Sequence, residues 1–152
     1  MSVIVTPTVE IQSDASATDL SNLKVPNGQT VKSYISNNTS STGTIAKHSS
    51  ITSSCTMDRT QCVKKNGWVV VSGRLHTISP KVAANLNYFS IPQGYRPKTS
   101  TVGLAYMSVY NGSTYVGVIP LACTIDTSGN VNVTYGAAYS TDQVFFYAMY
   151  PV

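Results

Sequence analysis

From Gly67 onward, apolar and polar positions alternate in short segments separated by turn residues, which is the pattern of half-buried β-strands. The clearest segment runs from Trp68 to Ile78 and ends at Ser79-Pro80, because proline cannot donate a ladder hydrogen bond. The other predicted strands are residues 86–91, 101–110, 114–118, 121–125, 131–135 and 144–152. Strands at this spacing predict an all-β fold, an antiparallel β-sandwich or jelly-roll-like head.

The last predicted strand, residues 144–152, is apolar on both faces. One face carries Val144, Phe146, Ala148 and Tyr150, and the other carries Phe145, Tyr147 and Met149. A sheet face in contact with water should be mostly polar. We therefore expect the second face to meet another layer or another subunit, and we predict an oligomer.

Residues 1–60 have a different pattern, with few apolar residues and runs of Ser, Thr and Asn such as residues 36–43. This composition is typical of an extended arm followed by a linker. The sequence thus predicts an N-terminal attachment arm and polar linker over residues 1–60 and a β-sandwich head over residues 61–152. An arm this polar cannot fold alone, so it is expected to dock on a partner or on sister subunits.

Charge is sparse, at 11% of residues, and unevenly placed. All ten Lys and Arg lie between Lys24 and Lys98, where the net charge is +9, and the flanking segments carry −3 and −2. Because these bases are spread out and never exceed the pair Lys64-Lys65, a solvated basic surface is favoured over a nucleic-acid site. No run approaches the roughly 20 apolar residues of a membrane span, so no membrane insertion is predicted.

The three cysteines match no zinc-binding spacing. Free thiols in a reducing cytoplasm are the favoured interpretation, and a Cys55–Cys62 disulfide is the alternative. The N-terminus has no basic segment followed by a long apolar core, so no signal peptide is predicted. A protein of this kind that acts outside a cell would need a delivery route other than secretion.

Groups for acid–base chemistry are almost missing from the head. Residues 67–152 contain no Glu, two Asp and one His. A nucleophile would need a base, and only His48 and His76 are available. Asp126 and Asp142 lie beside turn residues, where capping of the turn explains them. The sequence therefore predicts no enzyme, no catalytic residue, no metal site and no cofactor.

Aromatic and amide side chains are the remaining candidates for function. Nine of the ten tyrosines follow Pro80. Tyr and Trp combine an apolar face with a polar tip, which suits stacking on sugar rings or contact with a protein surface. The alternative is that individual tyrosines fill the core or subunit contacts. The predicted ligand-binding residues are Trp68, Arg74, His76, Tyr106, Tyr110, Asn111 and Tyr115.

Two of these assignments rest on expected geometry. On the first strand, Arg74 and His76 should share one face, with Val69, Val71, Leu75 and Thr77 on the other. The sequence Asn111-Gly112 between two β-rich segments predicts a hairpin whose tip is exposed.

Several motifs of the head are similar to those of a known class of proteins. They are Gly67-Trp68 opening a strand, Pro92-Gln93-Gly94-Tyr95-Arg96-Pro97 closing one, the turn Asp126-Thr127-Ser128-Gly129 and an aromatic last strand ending in Tyr150-Pro151. In content and order they resemble the C-terminal head domains of bacteriophage tail-fibre and baseplate receptor-binding proteins. Pro92, Gly94, Tyr95 and Pro97 have an architectural character in this resemblance.

The resemblance implies a homotrimeric jelly-roll-like head that binds saccharides or teichoic acids on a bacterial surface. The N-terminal arm would attach it to other virion proteins, and the protein would be made in the host cytoplasm and act extracellularly as part of the virion. The alternative is a structural virion protein, such as a head fibre, a capsid decoration or a baseplate connector. A polysaccharide-degrading enzyme with carboxylates supplied across subunits is a minor third hypothesis.

Overall fold

The chain divides into two units, Met1–Thr39 and Ser40–Val152. In a computed structural model, residues 39–51, 54–83, 85–135 and 138–152 are described, together with Gly28, Thr30 and Ser33. The predicted attachment arm therefore lies almost entirely outside the described residues and stays a prediction. The second unit carries the fold described below.

This unit is built from strands paired in one sheet. In chain order they are β1 (Ser41–Thr42), β2 (Ala46–Lys47), β3 (Ser54–Lys65), β4 (Trp68–Ser79), β5 (Val82–Ala83), β6 (Leu86–Ser90), β7 (Thr101–Asn111), β8 (Thr114–Ile125), β9 (Asn130–Val133), β10 (Ser140–Thr141) and β11 (Gln143–Pro151). Hydrogen-bonded neighbours follow the order β1-β3-β4-β11-β7-β8-β9-β6-β2, and β10 pairs with β5 and β7. All the pairings are antiparallel, so the predicted all-β antiparallel class is confirmed.

The sheet curls so that its two halves face each other across one core. Phe146 on β11 and Phe89 on β6 are not on neighbouring strands, yet their ring centroids are 4.5 Å apart. Both rings are fully buried. Gly73 on β4 lies beneath them, and a Cβ there would come 3.0 Å from the Phe146 ring and 3.2 Å from the Phe89 ring. The two layers of the predicted sandwich are thus halves of one continuous sheet.

β4 follows the predicted alternation until its last residues. Val69, Val71 and Leu75 are fully buried, as expected. The expectation that Thr77 shares their face is wrong, because Thr77 is exposed with a φ of 58°. This left-handed residue interrupts the two-residue period, and Ile78 takes the buried position instead.

Two features of the sheet differ from the expected strands. Residues 114–118 and 121–125 form one continuous strand, β8, which passes through Pro120. Proline is tolerated there because β9 pairs only with Cys123–Ile125, which leaves that edge of β8 open at residue 120. The compact unit also begins at Ser40, so residues 40–60 of the expected linker supply β1, β2 and the start of β3.

Candidate binding surface

The strands β4, β11, β7 and β8 lie side by side, and one of their two faces points away from the core. We call this the outer face. Residues opposite each other in the ladders form rows across it. One row is Arg74–Phe145–Tyr106–Pro120, and the next is Ser72–Tyr147–Leu104–Ala122.

The outer face is strongly apolar. Leu104, near its centre, is 60% exposed, and Val102 beside it is 65% exposed. Tyr106 packs against Phe145 of the neighbouring strand with ring centroids 6.3 Å apart. The large exposed apolar side chains of the face are Trp68, Val102, Leu104, Tyr106, Val118, Tyr147 and Met149. The second apolar face of the last strand, noted in the sequence, is thus part of a wide surface that nothing in the described chain covers.

A charged cluster borders this face at the β3 edge. Arg74 donates from Nε to Oδ1 of Asp58 at 2.8 Å and from Nη2 to Oδ2 at 2.6 Å, a bidentate pair. The hydrogen bond and charge of Arg74 lower the pKa of Asp58, and Asp58 raises the pKa of Arg74. His76 Nε2 lies 3.4 Å from Asp58 Oδ2 but has no hydrogen-bond partner among the described residues. The charges of Arg74 and Asp58 therefore compensate each other.

The hairpin between β7 and β8 carries a second cluster. Tyr110 donates from its hydroxyl to Oδ2 of Asp142 at 2.9 Å, and this hydrogen bond raises the pKa of Tyr110. The Nζ of Lys81 lies 3.9 Å from the centroid of the Tyr110 ring, a cation–π contact. The Tyr115 ring packs against the Tyr110 ring, with centroids 5.4 Å apart, and Tyr115 is 56% exposed. Asn111 is also exposed. Tyr110 is therefore fixed by its partners, while Tyr115 and Asn111 are open to solvent.

The turn of this hairpin is one residue further along than expected. Asn111 pairs with Thr114 at the end of the ladder, so the loop is Gly112-Ser113 rather than Asn111-Gly112. Gly112 has a φ of 58°, which glycine adopts at little cost and which suits the first position of a tight hairpin turn. Asn111 thus remains at the exposed tip, as predicted.

The acidic side chains of the second unit are engaged by their own neighbours. Asp58 binds Arg74, and Asp142 accepts the hydroxyl of Tyr110. Asp126 accepts hydrogen bonds from the backbone N–H and the side-chain amide of Asn130 at 2.9 and 2.8 Å, which hold the β8–β9 turn. These arrangements give each carboxylate a structural role.

The described residues include neither a metal-binding cluster nor a membrane-spanning helix. They contain no group of three or more His, Cys, Asp or Glu that could hold a metal ion. Within the same ranges, there is no helix with the length and apolar character needed to span a bilayer. The three cysteines are free thiols, two of them buried. The reducing cytoplasm that the sequence interpretation joined to this state stays a prediction.

The predicted ligand-binding residues fall into two groups along the sheet. Trp68, Arg74, His76 and Tyr106 belong to the outer face or its border, and Tyr110, Asn111 and Tyr115 form the hairpin tip. Sequence reasoning missed the partners that position them, namely Asp58, Lys81, Asp142 and Phe145. Only Phe145 had a pattern that could have revealed it, the apolar second face of the last strand.

Comparison of the chain with protein-family models finds no match, and comparison with curated proteins finds none either. The similarity to phage receptor-binding heads therefore stays a prediction from the motifs.

Proposed function

We propose that this chain is a non-enzymatic virion adhesin, a homotrimeric receptor-binding or tail-fibre head that binds saccharides on a bacterial cell surface. The observation that supports the proposal most directly is the hairpin tip, where the Tyr115 ring is 56% exposed and packs against Tyr110. Asn111, in the next pair of the ladder, is also exposed at this tip. An aromatic face stacks on the apolar face of a sugar ring, and an amide both donates to and accepts from sugar hydroxyls.

The neighbours of the tip suit the same ligand class. Asp142 and Lys81 fix Tyr110, and Tyr110 in turn packs against Tyr115, so little side-chain freedom remains to be lost on binding. Engaged carboxylates and an exposed aromatic ring favour recognition of a glycan over its hydrolysis.

The copy number matters because single protein–sugar contacts are weak. Three linked copies raise the effective concentration of each further contact and can increase the overall affinity by orders of magnitude. In this proposal the N-terminal arm attaches the trimer to other virion proteins, so the heads act outside the host cell after release.

An array of bacterial glycans and teichoic acids, probed with the full-length assembled protein, tests this function. We expect binding by the natural sequence and at least a tenfold loss in the variant Tyr115→Ala. Val116→Ala is the matched control, because Val116 is a neighbouring residue that is 51% exposed and carries no ring. Equal binding by Tyr115→Ala would exclude the hairpin tip, and no binding to any glycan or to host cells would exclude the adhesin.

The second candidate is a structural virion protein that contacts only other virion proteins. The apolar outer face favours it, since protein contacts are built from such surfaces. Fluorescently labelled protein that fails to bind host cells, yet co-purifies with virion components, would support this role instead.

A further inference from the structure

The outer face is a large and continuous apolar surface. Its seven large apolar side chains are each between 42% and 65% exposed. An aromatic side chain covers about 150–250 Å², so a half-exposed set of this size presents on the order of 500 Å² or more. The largest apolar patch on a typical monomer is roughly 300–600 Å², and a stable interface uses about 800 Å² per partner. The seven side chains alone reach the upper part of the range for monomers, and Val70, Phe145 and Pro120 extend the face towards the area of a stable interface.

The charges around the face also suit a particular partner. Its central rows contain no ionised side chain except Arg74, and Asp58 neutralises Arg74 through two hydrogen bonds. Lys65, opposite Trp68 at the β3 edge, lies on the rim. Interface centres are depleted of charge in this way, with charged groups left at the rim. Two copies of a neutral centre meet without like-charge repulsion, although the whole chain carries a net charge of +4.

We infer that the outer face of β4, β11, β7 and β8 is the surface through which copies of this chain associate. The inference deepens the proposed homotrimer, on which it rests, by naming the surface that forms it. It assigns Trp68, Tyr106 and Leu104 to assembly and leaves the hairpin tip for the ligand.

The main test places a charge in the centre of the face. Leu104→Glu alters a side chain that is 60% exposed, so the fold of each copy should be retained in the far-ultraviolet circular dichroism spectrum. Gln93→Glu is the matched control, because it adds the same charge at an exposed position in the loop after β6. In sedimentation of the full chain at micromolar concentration, we expect oligomers for the natural sequence and Gln93→Glu, and monomers for Leu104→Glu.

A second readout needs no variant. Trp68 is the only tryptophan of the chain and is half exposed on this face. Assembly should bury it, so dilution of the natural protein to the monomer should shift its emission to longer wavelength and increase its quenching by acrylamide. An oligomer whose Trp68 emission and quenching stay constant on dissociation would overturn the inference.

Other outcomes also decide the matter. A natural protein that remains monomeric at micromolar concentration, or binds lipid vesicles as a monomer, would overturn the inference, as would a Leu104→Glu variant that stays oligomeric. An oligomer that persists in Leu104→Glu while glycan binding is intact refutes only the interface. An oligomer that dissociates as expected, but whose natural form binds no glycan, refutes only the adhesin.

Discussion

Phe145 and Phe146 are neighbours on β11, but truncation of Phe145 should mainly weaken assembly and truncation of Phe146 should mainly destabilise the fold. Phe146 is fully buried and its ring centroid lies 4.5 Å from that of Phe89 across the core. Loss of such a ring creates a cavity, so Phe146→Ala should lower the free energy of unfolding by about 3–5 kcal/mol. Phe145 is only partly exposed on the outer face, and two thirds or more of the value of a fully buried side chain gives about 1–2.5 kcal/mol for Phe145→Ala.

The two variants are best compared by urea unfolding in the Leu104→Glu background, so that assembly does not add to stability. Sedimentation in the natural background then gives the second half of the comparison. Phe145→Ala should weaken assembly while costing the fold less than Phe146→Ala does, and Phe146→Ala should destabilise the fold first. Equal losses of unfolding free energy, or stronger assembly defects for Phe146→Ala at temperatures where it is folded, would refute the assignment of the two faces.

Three further predictions concern the core and a turn. Gly103→Ala should cost about 1–3 kcal/mol in urea unfolding, because its Cβ would come 2.6 Å from the backbone oxygen of Tyr147; an unchanged midpoint would contradict this packing. Ellman's reagent at pH 8 should label only one thiol quickly in the native protein, the partly exposed Cys55. Burial raises the pKa of Cys62 and raises the pKa of Cys123 to about 11, so both should react slowly. All three thiols should react after unfolding. Burial alone would raise the pKa of Asp126, but hydrogen bonds from the β8–β9 turn outweigh burial and lower the pKa from 3.8. The ionised carboxylate therefore stabilises the fold fully above that value, and this stabilisation is lost as the pH falls through the folded-state pKa. Asp126→Asn should therefore flatten the thermal stability profile below about pH 4, and an unaltered profile would show that this carboxylate contributes nothing.

The strands most visible in the sequence are those with one buried and one exposed face. β4 and β7 were predictable because their inward residues recur every second position, as Val69 and Val71 do. The Asn111-Gly112 sequence identified the hairpin between β7 and β8, with its turn misplaced by one residue. The limits of these strands were set by proline and glycine, whose backbone preferences act locally and can be read without tertiary information.

β3 could not be found in this way because its residues are mostly polar on both faces. It pairs with β4 along its length and includes a register shift between Asp58 and Gln61, with Arg59 at a φ of 50°. The bulge breaks the period on which strand prediction depends. Its place in the fold comes from the neighbouring strand, since β4 offers a full ladder of hydrogen-bonding groups at the edge of the core. The left-handed backbone of Thr77 likewise could not be predicted, because nothing in the alternation of apolar and polar residues indicates it.

The sequence indicated which residue types could bind a ligand, but it did not indicate which of those residues lie together on the surface. Aromatic residues stood out by number, yet Tyr88 and Tyr150 are fully buried, whereas Tyr115 is largely exposed. Which tyrosines are exposed depends on how the sheet curls, and that is a long-range property of the strand order. The same order puts Phe145 beside Tyr106, residues 39 positions apart in the chain.

The strand β7 links the two proposed surfaces, because it carries Tyr106 on the outer face and Tyr110 at the hairpin tip. If assembly uses the first and the glycan uses the second, a monomer should keep each site while losing avidity. Leu104→Glu should then bind a soluble oligosaccharide in calorimetry with the affinity per site of the natural protein, within about a factor of two. On a glycan-coated surface the same variant should dissociate at least tenfold faster. A monomer that loses its calorimetric affinity as well would mean that the ligand contacts more than one copy, so that the hairpin tip is only part of a site completed by assembly.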